Sequence, residues 1–171
     1  MKSSESALAP FKHRTFAILW TAAFISNIGT WMHSVGASWL MTDLSPSPLM
    51  VALVQTATSL PVFLLALPAG ALADLFDRRQ LLIITNTFMG TAALLFVILL
   101  LLGITGAEWI LLFTFLLGVG AALMAPAWQA SMPSLVTAKD LPQAIALGGI
   151  SINLSRAIGP AAAGLLISVY G

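Results

Sequence analysis

Four stretches of the chain hold no Asp, Glu, Lys or Arg: Thr15–Thr42, Leu44–Ala73, Gln80–Ala107 and Trp109–Ala138. A fifth, Leu141–Gly171, is broken only by Arg156. A helix needs roughly 20 apolar residues to cross a hydrocarbon core about 30 Å thick, and every run is long enough. Within lipid only helices and closed barrels satisfy their own backbone. Barrel strands alternate over about 10 residues, whereas ALLFVILLLLG, residues 93–103, does not alternate. The pattern predicts an all-α membrane protein. Its five transmembrane helices cover about 15–41, 48–73, 80–103, 108–130 and 142–170, after a mostly polar segment over 1–14.

Turn signals fit this division. Leu44-Ser-Pro-Ser-Pro48 joins helix 1 to helix 2, and Gly103–Glu108 joins 3 to 4. Asp77 with Gln80, and Asp140 with Gln143, have the spacing of helix N-terminal caps, and Pro142 is tolerated in a first turn. The first run is too long for the apolar region of a cleavable signal, and no small-residue cleavage site follows it.

Composition agrees. Of 171 residues, 59% are hydrophobic and 8% charged, against about 45–50% and 25% in soluble domains. No basic patch is interleaved with aromatics, so nucleic acid is a poor partner and the lipid bilayer the expected one. The absence of cysteine removes thiol chemistry and disulfides.

Charge placement sets orientation. Lys2, Lys12 and Arg14 precede helix 1, Arg78 and Arg79 lie between helices 2 and 3, and Lys139 lies between 4 and 5. The opposite loops carry only Asp43 and Glu108. The positive-inside rule places the cation side, and the N-terminus with it, in the cytoplasm; the expected location is the plasma (inner) membrane.

Gly70–Arg79, GALADLFDRR, carries more charge than topology needs. It resembles the helix 2–3 loop signature of the major facilitator superfamily, Gly-x-Leu-Ala-Asp-Arg-x-Gly-Arg-Arg/Lys. Gly70, Leu72, Ala73, Asp74, Arg78 and Arg79 match, while Leu75 and Asp77 depart from it. The resemblance implies a cytoplasmic gate: Asp74 would bond to charged and helix-end groups of a C-terminal half when the outside-facing form is stable. In helix 5, Gly159, Pro160 and Gly164 resemble the Gly-Pro-x-x-Gly-Gly motif of the superfamily's exporters, with Ala163 in the place of one glycine. Pro160 cannot donate to the carbonyl of Arg156, and Ala157, Ala161 and Gly164 are expected to let a neighbouring helix approach closely. Leu117-Gly-Val-Gly-Ala-Ala, Pro126-Ala-Trp-Gln-Ala and Leu141-Pro-Gln-Ala-Ile-Ala-Leu resemble the branch with siderophore exporters and drug-efflux proteins.

Superfamily members have twelve helices in two halves, with substrate between the halves at the midplane. The resemblance therefore implies an N-terminal portion, with a C-terminal half as its missing partner. It implies a small-molecule exporter, drug-like or siderophore-like in substrate, working by alternating access. No cofactor is expected; a proton gradient is implied by resemblance alone, because Asp43, Asp74, Asp77, Glu108 and Asp140 all read as loop or interface residues.

Polar residues inside the helices are candidates for a cavity lining: Asn27, Thr30, His33, Ser34 and Ser38 in helix 1, Gln55 and Ser59 in helix 2, Gln129 in helix 4, Asn153 and Arg156 in helix 5. Arg156 stands some 15 residues from either end of its run, too deep to snorkel, so it is expected to face a cavity or a partner. No carboxylate lies deep within the five runs, which points to substrate, or to the absent half, for any ion pair. An intramembrane hydrolase built on His33 and Ser38 fails, since five residues on a helix put them roughly 140° apart. A small membrane scaffold or accessory subunit is the alternative to a transporter. No catalytic or metal-binding set is expected.

Overall fold

A computed structural model describes residues 6–45 and 47–170. Lys2, Pro46 and Gly171, which entered the reading above, lie outside the described residues. A short 3-10 helix over Ala9–Lys12 leads into α1 (Arg14–Leu44), followed by α2 (Pro48–Leu75), α3 (Arg78–Leu101), α4 (Ala107–Leu135) and α5 (Leu141–Tyr170). All five α-helices are long and apolar enough to cross a membrane. There is no strand among the described residues.

Local chemistry sets the helix ends. Pro48 opens α2 in its first turn, where a missing N–H costs nothing. Asp77 caps α3 by accepting from the Gln80 N–H at 2.9 Å, so only Phe76 and Asp77 separate α2 from α3. At the far end of α3, Gly103 adopts φ 72°. Its N–H donates to the Leu100 carbonyl and that of Ile104 to Leu99, both at 3.0 Å. This is a Schellman closure, and its left-handed residue favours glycine. α4 continues through Pro133 to Leu135, past the expected end at 130. Asp43, Asp74 and Glu108 fall in terminal turns of α1, α2 and α4.

The chain divides into two compact units, and α1 and α4 contribute to both. One comprises Gly36–Ala130. Its core joins Ala37 and Met41 of α1, Val54 of α2, Ala92 and Phe96 of α3, and Ile110 and Phe113 of α4. The Phe96 and Phe113 rings lie 5.3 Å apart. Deeper along α4, Gly118 and Gly120 point to opposite sides, being two residues (about 200°) apart. A Cβ on Gly118 would stand 3.0 Å from the Thr58 carbonyl oxygen of α2, and one on Gly120 would run into Met89 of α3. The two glycines let α4 wedge between α2 and α3.

The other unit comprises the described residues up to Val35 and from Ser131. Ala144, Leu147, Ser151, Ser155, Gly159 and Ala163 make a buried stripe along α5 at three- and four-residue spacing. Trp20 Nε1 donates to the Leu147 carbonyl at 2.9 Å, and Ser155 Oγ to the Phe24 carbonyl at 3.3 Å. A Cβ on Gly159 would collide with the Trp31 side chain and stand 3.0 Å from the Ile28 carbonyl oxygen. Residue numbers rise together along both helices, so α1 and α5 run parallel. The close approach thus uses the stripe ending in Gly159 and Ala163. Ala157, Ala161 and Gly164, expected to serve it, are exposed, and nothing lies within 4 Å of a Cβ on Gly164. Five residues after Gly159, Gly164 is rotated about 140° from the seam.

Candidate functional site

The α2–α3 junction separates its charges sharply. Arg78 Nη1 donates to the Ala130 carbonyl of α4 at 2.7 Å. The bond ties the start of α3 to a main-chain oxygen of α4. Positive-inside reasoning had given Arg78 no partner; its contact is a backbone atom, which has no sequence signature. Arg79 and Asp74 are exposed, and neither makes a hydrogen bond or ion pair with any of the described residues. Gly70 sits one turn before Asp74, with open space around its Cα. Asp77 is occupied by capping, which leaves Asp74 as the free carboxylate of the motif.

A second polar contact ties the N-terminal segment down. His13 Nε2 lies 2.9 Å from Asp140 Oδ2, which also accepts from Thr137 Oγ1 at 2.9 Å. Ala9 and Pro10 are buried, and Phe11 meets Phe16 and Trp20 edge-on with centroids 5.7 and 5.1 Å apart. The hydrogen bonds from His13 and then Thr137, aided by the charge of Lys12, hold the Asp140 carboxyl below its ordinary value. A depressed carboxylate stabilises the folded arrangement fully above its unfolded pKa, and that stabilisation is lost as pH falls through the folded value. A spin label at exposed Leu8 is therefore expected to stay immobile near neutral pH and loosen only below about pH 4. In Asp140→Asn it should be more mobile near neutral pH and lose that pH dependence.

The candidate lining residues divide between the units. Gln55 and Gln129 lie in Gly36–Ala130, both exposed. Gln55 Nε2 reaches Ser59 Oγ at 3.4 Å, a long contact, while Ser59 Oγ donates back to the Gln55 carbonyl at 2.6 Å. Asn27, Thr30, His33, Ser34, Asn153 and Arg156 lie in the other unit. Thr30 Oγ1 donates to the Ser26 carbonyl at 3.1 Å, and Asn153 Nδ2 to the Gly149 carbonyl at 2.9 Å. Asn27, His33 and Ser34 are half-buried.

Arg156, expected to face a cavity or a partner, lies against an aromatic ring. Its guanidinium carbon sits 5.2 Å from the centroid of the Trp31 ring on α1. That is within cation–π range, so among the described residues an aromatic face, not a carboxylate, offsets the charge. The contact is held by the seam beside it: Gly159, one turn along α5, packs against Trp31. Pro160 sits inside the unbroken α5 and deprives the Arg156 carbonyl of its usual i+4 donor. Trp31 escaped the sequence reading because an apolar-run Trp reads as core or lipid contact; its offset of one helical turn from Asn27 was the available signal.

Comparison with known proteins supplies the remaining step. The family model described as transmembrane secretion effector matches residues 5–171. The staphyloferrin A transporter of Staphylococcus aureus is 30% identical over 152 residues, 88% of this chain and 38% of that protein. The multidrug efflux pump Tap of Mycobacterium tuberculosis is 30% identical over 167 residues, 91% and 38% respectively. The enterobactin exporter EntS of Shigella boydii is 29% identical over 163 residues, 93% and 38%. The chain thus spans about 38% of the length of these relatives. No solved structure matches it. Five membrane-spanning helices, the Gly70–Arg79 motif and the family match together make this chain a multi-pass membrane protein that belongs to the transmembrane secretion effector family of the major facilitator superfamily of transporters.

Proposed function

We propose that the chain forms the N-terminal portion of a secondary-active exporter of a small molecule, drug-like or siderophore-like. It works by alternating access in the plasma membrane, driven by a proton gradient. The N-terminus and the α2–α3 junction face the cytoplasm, where every loop cation lies. The observation that carries the reading is the division of labour at that junction. Arg78 is spent on α4, and Asp77 on capping, while Asp74 is presented with no partner among the described residues. An exposed carboxylate beside a helix end suits a bond to a second half that forms in one state and breaks in the other. The relatives' names, two for a single transported compound and one for many drugs, support a small-molecule substrate.

A channel between two halves needs both walls. Residues 1–171 expressed alone are therefore expected to insert into the membrane and give no efflux, whereas the complete transporter in the same vesicles extrudes its substrate. Efflux by the fragment alone would contradict the reading and favour a self-sufficient small membrane protein.

A further inference from the structure

Arg156 is placed mid-span with its charge offset from one side only. The Trp31 ring attracts the cation through its π face and consumes no N–H donor. The guanidinium makes no hydrogen bond with any of the described residues, so its planar fork of donors stays available. The nearest carboxylate before it in sequence, Asp140, lies about 24 Å down the helix axis and is occupied by His13 and Thr137. Asn153, one turn before Arg156, spends its amide N–H on the Gly149 carbonyl, and its oxygen accepts no hydrogen bond from the described residues.

We propose that Arg156, steadied by Trp31, is an oxyanion-recognition site that takes a carboxylate in a two-pronged grip. The carboxylate comes either with the transported molecule or from the absent half of the transporter, and the chemistry is the same in both. This rests on the cavity reading of α1 and α5 given above. Trp31 is a positioning residue: it restricts the guanidinium so that less freedom is lost when the carboxylate docks.

The test is chemical protection of Arg156 in the complete, detergent-solubilised transporter. Phenylglyoxal modification is quantified on the Arg156 peptide by mass spectrometry, with benzoate and its neutral isostere benzamide as probes. If the anion arrives with the transported molecule, Arg156 is reactive alone and benzoate slows its modification about ten-fold more than benzamide does. Trp31→Leu should shrink that difference and Trp31→Phe should retain part of it. If the anion belongs to the absent half, Arg156 is unreactive alone and becomes reactive when one carboxylate of that half is changed to its amide. Arg156 that is reactive alone, yet protected equally by both probes or by neither, overturns the proposal. So does an unreactive Arg156 that no such change releases. Modification requires no transport, so these outcomes stand apart from a failure of efflux, which would count against the exporter reading instead.

Discussion

Asp74→Asn in the complete transporter is expected to lower transport by about ten-fold or more while leaving membrane abundance unchanged. The side chain is exposed and bonds to none of the described residues, so its loss removes nothing that holds this portion together. In the proposed gate its contribution lies in one conformational state only. An interaction made in one state and absent in the other biases the equilibrium by its full value. A charge-assisted hydrogen bond contributes about 1.5–3 kcal/mol, which is roughly a ten- to hundred-fold change in the ratio of states. The amide keeps the shape but loses the charge. In the proposed gate the bond closes the cytoplasmic side, so its loss should favour the inward-open form. Efflux assays with quantitative immunodetection of the transporter check both halves of this expectation.

Gly159→Val should act through packing and therefore through stability. The added carbons would enter space held by the Trp31 side chain and stand against the Ile28 carbonyl, a backbone atom of α1 that moves only with its helix. Overpacking of this kind costs typically about 1–3 kcal/mol. Separating α1 from α5 would also stretch the Trp20–Leu147 and Ser155–Phe24 hydrogen bonds along the same seam. Thermal unfolding of the purified transporter is expected to show a clearly lowered midpoint and a reduced folded yield. Gly164→Val, where nothing lies within 4 Å, should change the midpoint far less. Equal effects at both positions would mean that the α1–α5 seam is not where the motif's glycine is needed.

The helices were legible because lipid leaves so few ways to satisfy a backbone: long charge-free runs, ended by Pro48, Asp77 and Gly103, determine them almost without reference to tertiary structure. The capping role of Asp77 was equally local. What escaped was non-local. His13 and Asp140 stand 127 residues apart, and neither residue alone signals the other. The Arg78–Ala130 bond ends on a main-chain oxygen. On α5, several small residues within a few positions competed for the role of seam, and only the phase set by Trp20, Phe24 and Trp31 selects Ser155 and Gly159 over Ala157 and Gly164. The spacing of Phe16, Trp20 and Phe24, four residues each, was a visible stripe that pointed to that face.

Alternating access with Asp74 in the gate is tested most directly by two-sided labelling. The sequence has no cysteine, so Asn153→Cys introduces a unique thiol into this portion of the transporter. Oriented vesicles are treated with a membrane-impermeant maleimide on one face or the other, with intact Asp74 and with Asp74→Asn. With Asp74 intact, the thiol should be reached from both faces. In Asp74→Asn, cytoplasmic labelling should rise as external labelling falls, by roughly ten-fold in their ratio. A thiol reached from one face alone in both proteins, or a ratio that Asp74→Asn leaves unchanged, would contradict the gate.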